Sequence, residues 1–313
     1  MLKILTDPLY ALPIKKKSLK SPHPDIHDHL TYCKQWPLLL WLGAISLLLF
    51  IFSTDLQANP LVVIDAGHEP SKPGAIATCG IAEVVYNDAI VNTLLSVLSH
   101  YQIKLTRQRN AEVNTQNPRL THYLSADALT KWPAHKTLYA RAAIANAEHA
   151  DMFLSFHHDS TLLNHQVDHA ALCQGRGGKK LSEAFKKRYQ IGFNIFVYDA
   201  HDSRYEASLK LAHLLGKRLL ELGRIPADYH QDDCKSCRVI DAKLGIWHQD
   251  LAVLRLTTMP ALLIEVGNLL DPDDEALISS PSFQNHFAEQ VKMALDDYFN
   301  NPINSPLHTH VSP

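Results

Sequence analysis

Residues 36–54 carry no charged side chain, and within them residues 37–52 (PLLLWLGAISLLLFIF) are almost wholly apolar. In a helix rising about 1.5 Å per residue, such a stretch reaches close to the roughly 30 Å hydrocarbon thickness of a bilayer. A buried core helix would show polar residues at helical spacing, and this run shows none. Residues 1–35 hold six lysines against three aspartates, so the positive-inside rule leaves the N-terminus in the cytoplasm and exports everything after Asp55. Leu56, Gln57 and Ala58 form a weak small-residue cleavage site behind a long leader. Cleaved signal peptide and uncleaved membrane anchor therefore both stay open.

Removing this leader changes what the 313 residues can build. Residues 59–300 suffice for one large α/β domain, and residues 301–313 (NPINSPLHTHVSP) read as a disordered tail. The whole chain has 30 basic and 32 acidic residues; the segment to Ala58 takes six Lys and four Asp, leaving 24 basic and 28 acidic groups on the exported part. This mildly acidic balance argues against nucleic acid as a partner. Four of five cysteines, Cys79, Cys173, Cys234 and Cys237, fall in the exported part, where an oxidising compartment favours structural disulfides. Their pairing has three solutions, and Cys33 is left as a cytoplasmic thiol.

Along the exported part, short apolar runs alternate with helical patterns. Strands are expected at 61–66, 103–106, 152–156, 195–198, 251–256 and 261–266, with helices over 83–98, 138–149 and 205–222. Ser280 followed by Pro281 opens a last helix ending near Phe299. This alternation predicts a single α/β domain whose mostly parallel, twisted sheet is flanked by helices on both faces. Residues 110–136 and 160–192 are long, polar and irregular, and read as insertions framing a groove at the carboxyl ends of the strands.

Three of the strands end in groups with chemistry. The first ends at Asp65 and His68, the third at His157, His158 and Asp159, and the last at Glu265; Glu83 opens the first helix. Two neutral imidazoles and one carboxylate leave a tetrahedral zinc ion one open position, the arrangement of a catalytic site. A water bound there acquires a pKa near 7, and a second, unligated carboxylate is what moves its proton.

The same residues occur in motifs that resemble the zinc-dependent N-acetylmuramoyl-L-alanine amidases, which cleave the lactyl-alanine amide of peptidoglycan. That family's D-x-G-H, P-G-A and following G and E are matched by Asp65, Gly67, His68, Pro73, Gly74, Ala75, Gly80 and Glu83. Its R, A-N, A-D and S-x-H are matched by Arg141, Ala145, Asn146, Ala150, Asp151, Ser155 and His157, and its M-P-A-x-L-x-E-x-G by residues 259–267. The chain departs from the family at Glu69 and Pro70, where a pair of glycines is common, and after Gly267, where Asn268 to Asp271 replace an aromatic residue and S-N.

The resemblance implies one Zn2+ held by His68, Glu83 and His157, with Glu265 as catalytic carboxylate. Asp65 is read either as orienting His68 or as a structural strand end, His158 as a non-ligand neighbour of the metal that binds substrate or stabilises charge, and Asp159 as structural or supporting. It further implies peptidoglycan as substrate, action in cell-wall remodelling or septum splitting, a periplasmic or cell-envelope location, and room for an activator protein. A zinc peptidase acting on the stem peptide and a non-catalytic wall-binding relative are the competing readings.

Overall fold

The computed structural model describes residues 59–116, 135–160, 173, 192–228 and 234–300. The basic leader 1–35, the hydrophobic segment 36–58, the tail 301–313 and most of both expected insertions lie outside them. Among the described residues, no helix is long and apolar enough to cross a membrane.

The elements run β1 (Leu61–Ala66), α1 (Glu83–Val97), β2 (Gln102–Leu105), α2 (Lys136–Ala147), β3 (Met152–Asp159), β4 (Asn194–Val197), α3 (Tyr205–Glu221), β5 (Arg238–Asp241), β6 (Ile246–His248), α4 (Ala252–Leu256), β7 (Ala261–Asn268), α5 (Pro272–Ile278) and α6 (Pro281–Asn300). The seven strands form one sheet in the order β2-β1-β3-β7-β4-β6-β5. Four of its six pairings are parallel; β4 runs antiparallel to β7, and β5 antiparallel to β6. The expected mostly parallel α/β domain is thus present, with β4 turned against its central neighbour.

Strand alternation divides the core. Val62, Ile64 and Ala66 of β1, with Leu154 and Phe156 of β3 and Ile264 of β7, pack against α1, α3 and α6. The intervening residues Val63, Phe153, Ala261 and Leu263 face the other way, onto Ala145 of α2 and Val253 and Leu254 of α4. Because both faces are covered, the strands are apolar almost throughout and read clearly as strands. Helix α3 buries Ser208, Leu211, Ala212, Leu215, Gly216 and Leu219, the spacing of one helical face. It stops at Gly223, which takes φ +83° while Arg224 N–H donates to Leu219 O and Gly223 N–H to Leu220 O.

The segment 251–256 is helical from Ala252 to Leu256, correcting the expected strand. It is apolar because it covers the sheet, and a short apolar run has no periodicity to separate the two readings. Two short strands, β5 and β6, extend the sheet beyond the expected set, and α5 is an additional helix capped by Asp271, whose side chain accepts from the N–H groups of Asp273 and Asp274.

Cys79, Cys173, Cys234 and Cys237 form two disulfides. Cys79 joins Cys173 across 94 residues, and Cys234 joins Cys237. One of the three open connectivities is thereby selected, and the second pair reads as a local loop clip.

Candidate metal centre and catalytic carboxylate

The parallel half of the sheet carries β1, β3 and β7 side by side, so their carboxyl ends deliver His68, His157 and Glu265 to one edge. Cα pairing sets Asp65 beside Ser155 and His157 beside Glu265. Glu83 arrives from the first turn of α1, held by Glu83 N–H donating to Ala75 O and by Ala75 N–H donating to Glu83 Oε2 at 3.1 Å.

The ligand atoms of His68, Glu83 and His157 lie within 4.8 Å of one another. His68 Nε2 sits 3.0 Å from Glu83 Oε2, and His157 Nδ1 sits 3.1 Å from Glu83 Oε1. Burial alone would raise the Glu83 carboxyl, but its bonds to the two imidazoles outweigh that and hold it well below the ordinary carboxylate range. A permanently ionised carboxylate flanked by two imidazoles is a donor set that could hold a divalent metal, and two glycines make space for it. A Cβ at Gly67 would overlap the His157 ring; one at Gly74, where φ is +80°, would overlap the Glu83 carboxylate and crowd His68 Cδ2.

His68 itself has φ +60°, a left-handed backbone that costs a non-glycine residue roughly 1–2 kcal/mol. Two buried guanidinium groups hold it there. Arg107 Nε donates to His68 O at 2.7 Å and to Ala66 O at 3.1 Å, while its Nη2 donates to Gly67 O at 3.1 Å. Arg141 donates to Ala66 O at 2.7 Å and, through Nη2, to His68 O. Each is neutralised by a buried aspartate, Arg107 by Asp88 at 2.6 Å and Arg141 by Asp65 at 2.5 Å. Asp65 also accepts from Ser155 Oγ and Thr106 Oγ1; against the burial that would raise it, Arg141 and these hydroxyls keep it ionised below the usual range. Asp65 therefore reaches His68 through Arg141 and the backbone.

His158 is buried on the opposite side of β3 from His157, where its Nδ1 lies 2.7 Å from Asn87 Oδ1. Asn87 Nδ2 in turn donates to Gly67 O and to Glu83 Oε1. Burial lowers the His158 imidazole to about 3, so it stays neutral and donates to Asn87. The His158 N–H also donates to Glu83 Oε1 at 3.2 Å. Neither Asn87, Asp88 nor Arg107 carries a sequence motif; their one signal is a polar residue on an otherwise apolar helix or strand end.

Glu265 stands across from His157 without belonging to the ligand cluster. Its Oε2 is buried with no hydrogen-bond partner. Burial, then the negative charges of Asp159 and Glu83, push its carboxyl well above the ordinary range. Asp159 ends β3, its Oδ1 accepting from Ser160 N–H and its carbonyl from Leu269 N–H. A cavity of about 340 Å³ opens beside the cluster, lined by His68, His157 and Lys72 and by apolar Leu138, Leu251 and Val253. Its size lies in the range of small-ligand sites.

A mixed α/β domain with a candidate metal centre at its strand ends and a raised carboxylate beside it is the class this fold and site define. A family model described as N-acetylmuramoyl-L-alanine amidase matches residues 62–297, and the chain belongs to that family. AmiC, an amidase of Neisseria meningitidis, is 24% identical over 258 residues, covering 78% of this chain and 54% of that one; the chain thus spans about half of that relative. A putative amidase of Buchnera aphidicola is 21% identical over 250 residues, 76% of this chain and 96% of its own length. Among solved structures, the catalytic domain of the amidase CwlV from Paenibacillus polymyxa superposes with a TM-score of 0.52 at 22% identity, covering 77% of this chain and 98% of that one. The Clostridioides difficile amidase CwlD, solved in complex with the GerS lipoprotein, does so at 0.52 and 18%, covering 77% and 99%.

Proposed function

We propose that this chain is an exported zinc hydrolase that cleaves the amide between N-acetylmuramic acid and L-alanine in peptidoglycan. The observation that carries the reading is Glu265: a carboxylate outside the ligand cluster, its buried Oε2 without a hydrogen-bond partner, set in register with His157 beside a three-residue donor cluster. His68, Glu83 and His157 would hold one Zn2+, which supplies Lewis acidity and a nucleophilic water at neutral pH. Glu265 takes the proton from the attacking water and delivers it to the departing alanine nitrogen. Its raised proton affinity suits a group that must take a proton from water and pass it on. Arg107 and Arg141 fix the backbone that aims His68, Asp65 neutralises Arg141, and the His158–Asn87 pair steadies Glu83; Asp159 tunes Glu265 through its charge.

The cavity supports this substrate class, since Leu138, Leu251 and Val253 offer apolar surface to the lactyl and alanyl methyl groups beside His68 and His157. Export rests on the apolar segment 36–54, through which the membrane would hold the chain if the leader is uncleaved. The GerS complex of CwlD supports an accessory protein as a further partner.

The test is digestion of purified peptidoglycan by the zinc-loaded protein, with products weighed by mass spectrometry. Stem peptides with a free L-Ala amino group are expected; cuts within the stem would identify a peptidase instead. Glu265→Gln should lose about 10²–10⁴-fold in turnover while retaining zinc, the usual weight of a positioned acid–base group. Wild-type protein that holds zinc and an accessory protein yet releases nothing would refute the proposal and favour the wall-binding reading.

A further inference from the structure

The strand that breaks the parallel pattern brings one more residue to the site. Because β4 runs antiparallel to β7, its first residue pairs in the second half of β7: Asn194 is the register partner of Glu265, as Ile195 is of Ile264. Paired residues on adjacent strands project on the same face with Cβ atoms roughly 5 Å apart. The face is the one shared by Phe196 and Leu263, two positions further along, where α2 and α4 pack.

Asn194 is completely buried, and both its Oδ1 and Nδ2 lack a hydrogen-bond partner. A buried amide with nothing to bond costs about 1–3 kcal/mol, so an apolar residue would serve the fold better at this place. The neighbouring Glu265 Oε2 is orphaned in the same way. Two unsatisfied buried polar groups side by side, one able to donate and the other to accept, are complementary.

We infer that Asn194 is a positioning residue for Glu265: the two side chains stand in register with no hydrogen bond between them, and a turn of the amide lets its Nδ2–H donate to Glu265 Oε2 in the working enzyme, so that the other carboxylate oxygen is turned toward the cleft. Held this way, Glu265 offers one fixed oxygen to the reacting water rather than rotating between two. The bond also favours a carboxylate over a second acceptor, so an aspartate at 194 cannot replace the amide. The inference rests on the proton-carrying role proposed for Glu265.

The experiment compares zinc-loaded wild type with Asn194→Leu, which matches the amide in shape, and Asn194→Asp, which matches it in shape but cannot donate when ionised. Both variants are expected to lose about 10- to 100-fold in kcat, the weight of a hydrogen bond to a charged group, with KM and zinc content unchanged. Asn194→Leu should also melt at or above the wild-type temperature, a gain in stability alongside a loss in turnover that a purely structural residue would not give. Asn194→Ser, which retains a donor, should recover part of the kcat. If Asn194→Leu keeps wild-type kcat while Glu265→Gln is inactive, the inference fails and the Glu265 reading stands. If Glu265→Gln itself turns over normally, the reading beneath it fails. Chemical denaturation of Asn194→Leu, Glu265→Gln and the double variant is independent of turnover, and additive effects there would overturn the contact.

Discussion

Gly67→Ala is the sharpest perturbation of the proposed metal centre, because it adds one methyl group and nothing else. Gly67 N–H donates to Phe156 O at 2.9 Å, which lays the end of β1 against β3, and a Cβ there would overlap Cε1, Nε2 and Cδ2 of the His157 imidazole. The ring yields rather than the backbone, since it is the free end of a side chain that is still 18% exposed, whereas the peptide at 67 is held by Arg107 and Asn87. Restoring ordinary van der Waals contact takes a retreat of roughly 1 Å. Metal–ligand distances tolerate about 0.2 Å, so the move removes His157 from the donor set. Zinc affinity is expected to fall on the order of 100-fold or more, with turnover partly restored by excess zinc. Gly80→Ala is the matched control: Gly80 has φ +82° but open space around its Cβ, so alanine there costs about 1 kcal/mol of backbone strain and leaves the metal untouched. Competition against a chromophoric chelator, with thermal melting of both variants, reads the two effects separately. Wild-type zinc affinity in Gly67→Ala, or equal loss in Gly80→Ala, would refute the geometric reasoning.

Arg141→Met should destabilise the domain by about 3–5 kcal/mol in urea denaturation, because it strands the buried Asp65 carboxylate; loss of less than about 1 kcal/mol would show that Asp65 has another counter-charge. His158 is held neutral with its folded value lowered to about 3 from an unfolded value near 6.5, so the unfolded state binds the extra proton between those limits. Its contribution is therefore complete above about pH 6.5 and is lost as pH falls toward 3, adding a slope of up to about 1.4 kcal/mol per pH unit. Denaturation between pH 7 and 4 should show a shallower slope in His158→Gln; an unchanged slope would place the proton uptake elsewhere. Reduction of Cys79–Cys173, which closes a long loop, should cost about 2–4 kcal/mol, whereas Cys234–Cys237 closes four residues and its reduction should change the melting curve much less; equal effects would contradict the loop argument.

The site was legible where chemistry and strand ends coincide. His68, His157 and Glu265 each follow or close an apolar run, and parallel strands bring their carboxyl ends to one edge, which made these three candidates; the resemblance to the amidases is what singled them out among the other histidines and carboxylates. Glu83 was a candidate as the acidic residue opening the first helix, and its position at the head of α1 explains why fifteen residues separate it from His68. Asn87, Arg107 and Asn194 were invisible because each is a single polar residue whose meaning depends on what packs against it. The same limit governs the fold. Runs such as 61–66 read as strands because both faces are buried, while 251–256 is equally apolar as a helix lying on the sheet. The strand 238–241 is partly exposed at the sheet edge and too short to declare itself, and α5 is a seven-residue helix whose cap, Asp271, falls in a stretch that the sequence marks only as a departure from the family pattern.

The reversal of β4 has a consequence for how such an enzyme diversifies. The chain leaves the sheet at Asp159 and re-enters it at Asn194, opposite Glu265, so the connection begins and ends on the same rim. The residues between Ser160 and Gly192 can change in number without altering the pairing of Asp159 with Asn268 or of Asn194 with Glu265. Cys173 lies within that stretch and is tied to Cys79 in the β1–α1 connection. An exchange of the 160–192 connection therefore has to keep a cysteine within reach of Cys79, because the same β1–α1 stretch that holds Cys79 also presents His68 and leads into Glu83.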